Sequence, residues 1–184
     1  GNFKPLKSDK KTIAKTLAVY SAFTEGLQLF SSFAILLNFP RFGKMKGMGQ
    51  IVTYSIRDES LHVEAMTKLF REFIQENLEI WTDDFKKELY QICREMVKLE
   101  DKFLDLVFDM GDIQGLTKDD MYKYNRYIAD RRLLQLGLKP NYEQSQNPLP
   151  WLDEVMGVEH QNFFEGRATT YMKAGLRGRH TNIT

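Results

Sequence analysis

Residues 52–63 read Val52-Thr53-Tyr54-Ser55-Ile56-Arg57-Asp58-Glu59-Ser60-Leu61-His62-Val63, and their spacing decides the fold class. Taken in steps of three and four, Val52, Ser55, Ile56, Glu59, His62, Val63, Met66 and Phe70 share one helical face. That face is apolar apart from Ser55 and the pair Glu59 and His62 at i, i+3. Upstream, Asp9 to Phe39 contains no proline and only Gly26, and the same walk gives Ala14, Leu17, Ala18, Ser21, Glu25, Leu29, Ser32, Phe33 and Leu36. Here a single carboxylate interrupts the stripe. Pro40-Arg41-Phe42-Gly43 separates the two helices, so they are expected to form a hairpin.

Further along, Thr82-Asp83-Asp84 is an N-cap cluster that opens a third helix running to about Met110. A fourth begins near Thr117, with Asp119 and Asp120 in its first turn where the helix dipole favours acids, and stops at Gly137. No stretch alternates as a strand does. The fold class expected is therefore all-α, with four long helices in residues 1–138 and an irregular C-terminal tail in 139–184. Lys139-Pro140-Asn141 and Asn147-Pro148-Leu149-Pro150 disfavour helix, and Trp151–Met156 is a short helical candidate.

Composition narrows the function. With 26 Lys+Arg against 25 Asp+Glu in 184 residues, the net charge is +1, which argues against a dedicated nucleic-acid binder. The longest apolar run in a helical pattern, Phe33 to Leu37, is far too short to cross a bilayer. The single cysteine, Cys93, excludes an intrachain disulfide and fits a reducing, cytoplasmic setting. No secretory signal pattern follows the lysine-rich start.

The two interrupted stripes carry the chemistry. Phe42 is the midpoint between Glu25 and Glu59, so a reversal there places both at equal height, ~20 Å from the turn at 1.5 Å per residue. A carboxylate turned into an apolar interior needs a basic partner, a raised pKa or a metal ion, and neither stripe offers a basic side chain. Glu25, Glu59 and His62 together suit a hard or borderline cation such as iron or manganese. Di-iron carboxylate bundles take one Glu from each of two helices and a Glu-x-x-His from each of the other two. This sequence has only three histidines and only one Glu-x-x-His, so it holds half of such a site.

The segment Ser55-Ile56-Arg57-Asp58-Glu59-Ser60-Leu61-His62 resembles the R-D-E-x-L-H ligand motif of the small, radical-generating subunit of class I ribonucleotide reductase. Glu25-Gly26-Leu27-Gln28-Leu29-Phe30-Ser31-Ser32-Phe33 is similar to that family's preceding ligand helix. Tyr127 to Leu138, Asn147-Pro148-Leu149-Pro150-Trp151, and Asn162-Phe163-Phe164-Glu165 ahead of Tyr171 are also family-like. The resemblance covers nearly the whole chain, corresponding to the C-terminal half of a full subunit, and implies a ferritin-like bundle.

By that resemblance, Glu25, Glu59 and His62 would be three of six ligands of a dinuclear iron, manganese or mixed centre. Leu29 and Phe33 would line the pocket around the radical tyrosine. Asp58 would belong to the electron and proton route to the large subunit, and Tyr171 would relay the radical from the tail. The implied reaction uses oxygen to oxidise the metal pair and delivers a radical to the large subunit, where ribonucleotides are reduced. The sequence departs from the family in having leucine at 29, serine at 55 and a basic tail from Lys173 to Thr184. It also lacks the residues of the other half-site, so the chain alone is expected to be inactive. The partners implied are the large subunit and either a polypeptide with the missing half or a second copy of this chain. No nucleic acid or membrane is implied. A non-redox helical interaction or assembly fragment, and a different di-iron oxidase, are the alternatives.

Overall fold

The computed structural model describes residues 7–155, and a division between Leu149 and Pro150 separates two units. In the first, a helical rod leads the chain: α1 (Lys7–Ala18), a π-helical segment (Val19–Gln28) and α2 (Leu29–Arg41) follow one another directly. The chain then turns into α3 (Lys46–Glu76), a 3₁₀ turn (Leu78–Ile80), α4 (Asp83–Asp109) and α5 (Lys118–Gln135). In the second unit, the described residues 150–155 are helical. The fold is all-α, and the described residues contain no strand, only an isolated bridge between Ile113 and Leu116.

Local chemistry sets the ends of these helices. The Thr82 side chain accepts from the Phe85 N–H and starts α4. Thr117 and Asp120 form a reciprocal capping box at α5. Gly137, at φ 82°, closes α5 in the left-handed conformation that favours glycine, with the Leu138 N–H reaching the Leu133 carbonyl. The hairpin between the first two long elements forms as expected, but its boundaries differ. Pro40 lies inside the last turn of α2, and α3 already includes Gly47 and Gly49. Gly49 fits there because the Pro40 ring occupies its missing side-chain position, where a Cβ would come within 2.4 Å of the proline Cγ.

The π segment is the central element, with α3, α4 and α5 all packing on it. Phe23, Leu27, Phe70, Phe85, Leu89, Leu104, Met121 and Leu133 fill the core between them. Cys93 is buried, and burial pushes its thiol up to about 12, so it is not a reactive nucleophile. Serine and threonine inside α3 are accommodated because Thr53, Ser60 and Thr67 each donate to the carbonyl four residues earlier. After α5, Asp130 accepts the backbone N–H groups of Asn141, Tyr142 and Gln144 at 2.7–2.9 Å. The Tyr90 hydroxyl pairs with both backbone groups of Lys139.

Candidate metal centre

Glu25 comes from the π segment, and Glu59 and His62 from successive turns of α3. The antiparallel hairpin brings them level, and one donor atom from each lies within 4.8 Å of the others. Nδ1 of His62 is 2.9 Å from Oε2 of Glu25 and 3.8 Å from Oε2 of Glu59. Among the described residues this is the one group of three such donors. Oε2 of Glu59 is buried and has no hydrogen-bond partner. Two carboxylate oxygens and an imidazole nitrogen suit a divalent first-row ion, and the unpartnered, buried Glu59 oxygen fits that donor set.

The expectation that these groups point into a sealed interior is corrected. The Glu25 and Glu59 side chains are about two-thirds buried, at 31% and 33% exposure, and that of His62 is 49% exposed. Two physical causes combine. The i→i+5 turns of the π segment shift the helical phase, so a strict walk by three and four drifts off the buried face. The buried residues there include Ala18, Ser21, Ala22, Gly26 and Phe30, and the expected stripe leaves that line from Glu25 onward. On α3, Val52, Ile56, Val63 and Phe70 are buried, while Ser55, Leu61 and His62 face outward.

The other sequence candidates are placed as follows. Leu29 is 38% exposed, and Phe33 is half-buried in an edge-to-face contact with Phe30. Asp58 lies on the exposed side of α3, 3.4 Å from Arg57. Tyr171 falls outside the described residues.

Two buried charges beside the rod escaped the sequence reading. Arg132 of α5 is 5% exposed and donates from Nε to the Gly26 carbonyl at 2.7 Å, next to Glu25. Glu100 of α4 is equally buried, and burial pushes its carboxyl up to about 7. Arg132 had no signal in its own neighbourhood. Glu100 sits on an otherwise apolar line with Leu89, Cys93, Val97 and Leu104, and that interruption was the available clue.

An all-α hairpin that sets a Glu opposite a Glu-x-x-His is the half-arrangement of ferritin-like carboxylate bundles. Solved structures agree with that class. The ribonucleotide reductase R2 subunit from Clostridium botulinum superposes with a TM-score of 0.72 at 29% identity, covering 76% of this chain and 44% of that one. The family model "Ribonucleotide reductase, small chain" matches residues 2–148, and the chain belongs to that family. It is 46% identical over 168 residues to the "Probable ribonucleoside-diphosphate reductase small subunit 048L" of Invertebrate iridescent virus 3, covering 90% of this chain and 45% of the relative. To the ribonucleoside-diphosphate reductase subunit beta of Chlamydia pneumoniae it is 38% identical, over 88% of this chain and 46% of the relative. The chain thus spans about half the length of these relatives.

Proposed function

We propose that this chain contributes half of the dinuclear metal site of a ribonucleotide reductase small subunit, with Glu25, Glu59 and His62 as its ligands. The observation that carries the reading is the convergence of three donors around a buried, unpartnered Glu59 oxygen. When bound, a pair of iron or manganese ions would supply, with oxygen, the oxidising equivalent from which a protein radical is made. The chain's own residues do the rest. Glu25 Oε2 faces His62 Nδ1 at 2.9 Å, and a bound cation would take the place of that direct contact. Phe33 and Leu29 present apolar surface beside the site and would exclude water once the open side is covered. Asp58 adjoins Glu59 and would take part in radical transfer to the large subunit, with Tyr171 as the tail relay. On this reading residues 1–138 form the helical half-site and residues 139–184 the tail.

Three donors do not complete a dinuclear shell, and with His62 half-exposed the remaining ligands would lie across the open face. They would come from a polypeptide carrying the complementary carboxylates and histidine, or from a second copy of this chain. Ribonucleotide reduction would then occur on the large subunit, and this chain alone would be inactive.

The test is Fe(II) loading under argon, followed by oxygen. It would be run on the chain alone and on the chain co-expressed with the complementary half of a relative. Native mass spectrometry should show about two metal ions per completed site, and Glu59→Ala should remove them. Metal-free protein in both preparations would overturn the assignment and leave a helical interaction module.

A further inference from the structure

The Glu25 carboxylate is aimed by a segment with unusual geometry, and one residue far away in the chain touches that segment from behind. Long π-helical runs are rare, because i→i+5 turns pack their backbone less well than α turns. The ten residues Val19–Gln28 adopt one, with Glu25 near its end. The carbonyl of the next residue, Gly26, accepts Nε–H of Arg132 at 2.7 Å, across 106 positions of sequence.

Arg132 is 5% exposed, and no carboxylate lies within ion-pair distance of it among the described residues. Its guanidinium stacks 4.6 Å from the Phe30 ring centroid, and Nη1 donates to Gln135 Oε1 at 2.8 Å. Burying an arginine without a counter-charge is costly. Desolvation lowers its pKa to about 10, so it still carries its proton at neutral pH. Gly26 is fitted to the same contact. A Cβ there would sit 2.7 Å from Arg132 Nε and 2.8 Å from the Ser21 carbonyl.

We propose that Arg132 is a positioning residue for Glu25: by fixing the Gly26 carbonyl, it holds the end of the π segment in the rotation that points Glu25 at His62. The route is short. Arg132 binds one carbonyl, that carbonyl belongs to the residue after Glu25, and the Glu25 carboxylate lies 2.9 Å from the imidazole. The inference rests on the ligand role of Glu25 only for its consequence in metal loading. The aiming itself is a property of the protein without metal.

The test compares Arg132→Met, Arg132→Lys and Gly26→Ala with the unchanged protein. Two readouts are needed: the ¹⁵N resonance of His62 Nδ1, which reports its hydrogen bond, and titration with Co(II) alone. Arg132→Met should keep its helical circular dichroism, move the His62 resonance to the position given by Glu25→Gln, and weaken Co(II) binding about tenfold or more. Arg132→Lys, which keeps the charge and a donor, should recover much of both. Gly26→Ala displaces the guanidinium without removing it and should shift the same resonance.

A lower melting temperature with the His62 resonance unmoved in Arg132→Met would overturn the proposal. Should that variant fail to fold, an unmoved resonance in Gly26→Ala would do the same. Absence of Co(II) binding to the unchanged protein would sink the ligand assignment, and the imidazole resonance would still decide the positioning role.

Discussion

Glu100 is a carboxyl group placed where its charge is unwelcome, with one oxygen lacking any partner. Desolvation is the main cause of its upward shift from 4.5 to about 7, with a hydrogen bond from Ser31 acting in the opposite direction. The folded state therefore prefers the protonated form. Its contribution to stability is present below pH 4.5, falls as pH rises through the interval to about 7, and is flat above. Glu100→Gln keeps the shape and removes the titration. It should stabilise the protein at pH 8 by an amount on the order of 3 kcal/mol at most, and flatten the pH dependence of urea midpoints between 4.5 and 7. Equal midpoint shifts for both proteins across that range would show that Glu100 ionises alike in the folded and unfolded states, and would refute its upward shift. Arg132 belongs to the same scale: a second buried charge, but one spent on a backbone carbonyl beside the site.

At the scale of elements, the helices are fixed from their ends and the connections from single side chains. Asp130 gathers three backbone N–H groups from the segment after α5, and it is 4% exposed. Asp130→Ala leaves those donors without their acceptor. With hydrogen bonds to charged groups worth about 1.5–3 kcal/mol each and partly replaced by water, a loss of about 3 kcal/mol is expected. That corresponds to a melting temperature lower by roughly 6–12 °C. Asp130→Asn should cost less, since its carbonyl still accepts. Differential scanning calorimetry measures both, and Asp130→Ala melting with the unchanged protein would refute the anchoring role. The α2–α3 hairpin depends on a different device, the close approach of Pro40 to Gly49. It is this crossing that sets Glu25 level with Glu59.

For the whole molecule, the decisive feature is the uncovered side of α3. Ile51, Tyr54 and Leu61 are exposed there, and Leu61 is adjacent in sequence to His62. On the proposed reading, these exposed apolar residues beside the candidate ligands would be covered by the complementary half. Leu61→Lys should leave thermal stability within about 0.5 kcal/mol, as for a surface change. It should also sharply reduce co-purification with the complementary half. Undiminished co-purification would place the covering helices elsewhere. No helix of the described residues is long and apolar enough to cross a membrane.

The elements that depend on near neighbours are legible in the sequence. The all-α class follows from apolar spacing, the helix starts from Thr82 and Thr117, and the stop from Gly137. The meeting of Glu25 with Glu59 also follows from sequence, because a hairpin pairs positions equidistant from its turn whatever else surrounds it. Tertiary structure decided the rest. The π segment shifts the phase of the first stripe, and nothing in Val19–Gln28 announces it, since its carbonyl at Gly26 is held by a side chain 106 residues away. Burial has a related cause: periodicity tells which residues share a face, but only the packing of other helices tells which faces are covered. Leu61 lies on the exposed side of α3 and His62 at its edge beside Glu25, whereas Glu100 and Arg132 lie where α4 and α5 close on the rod.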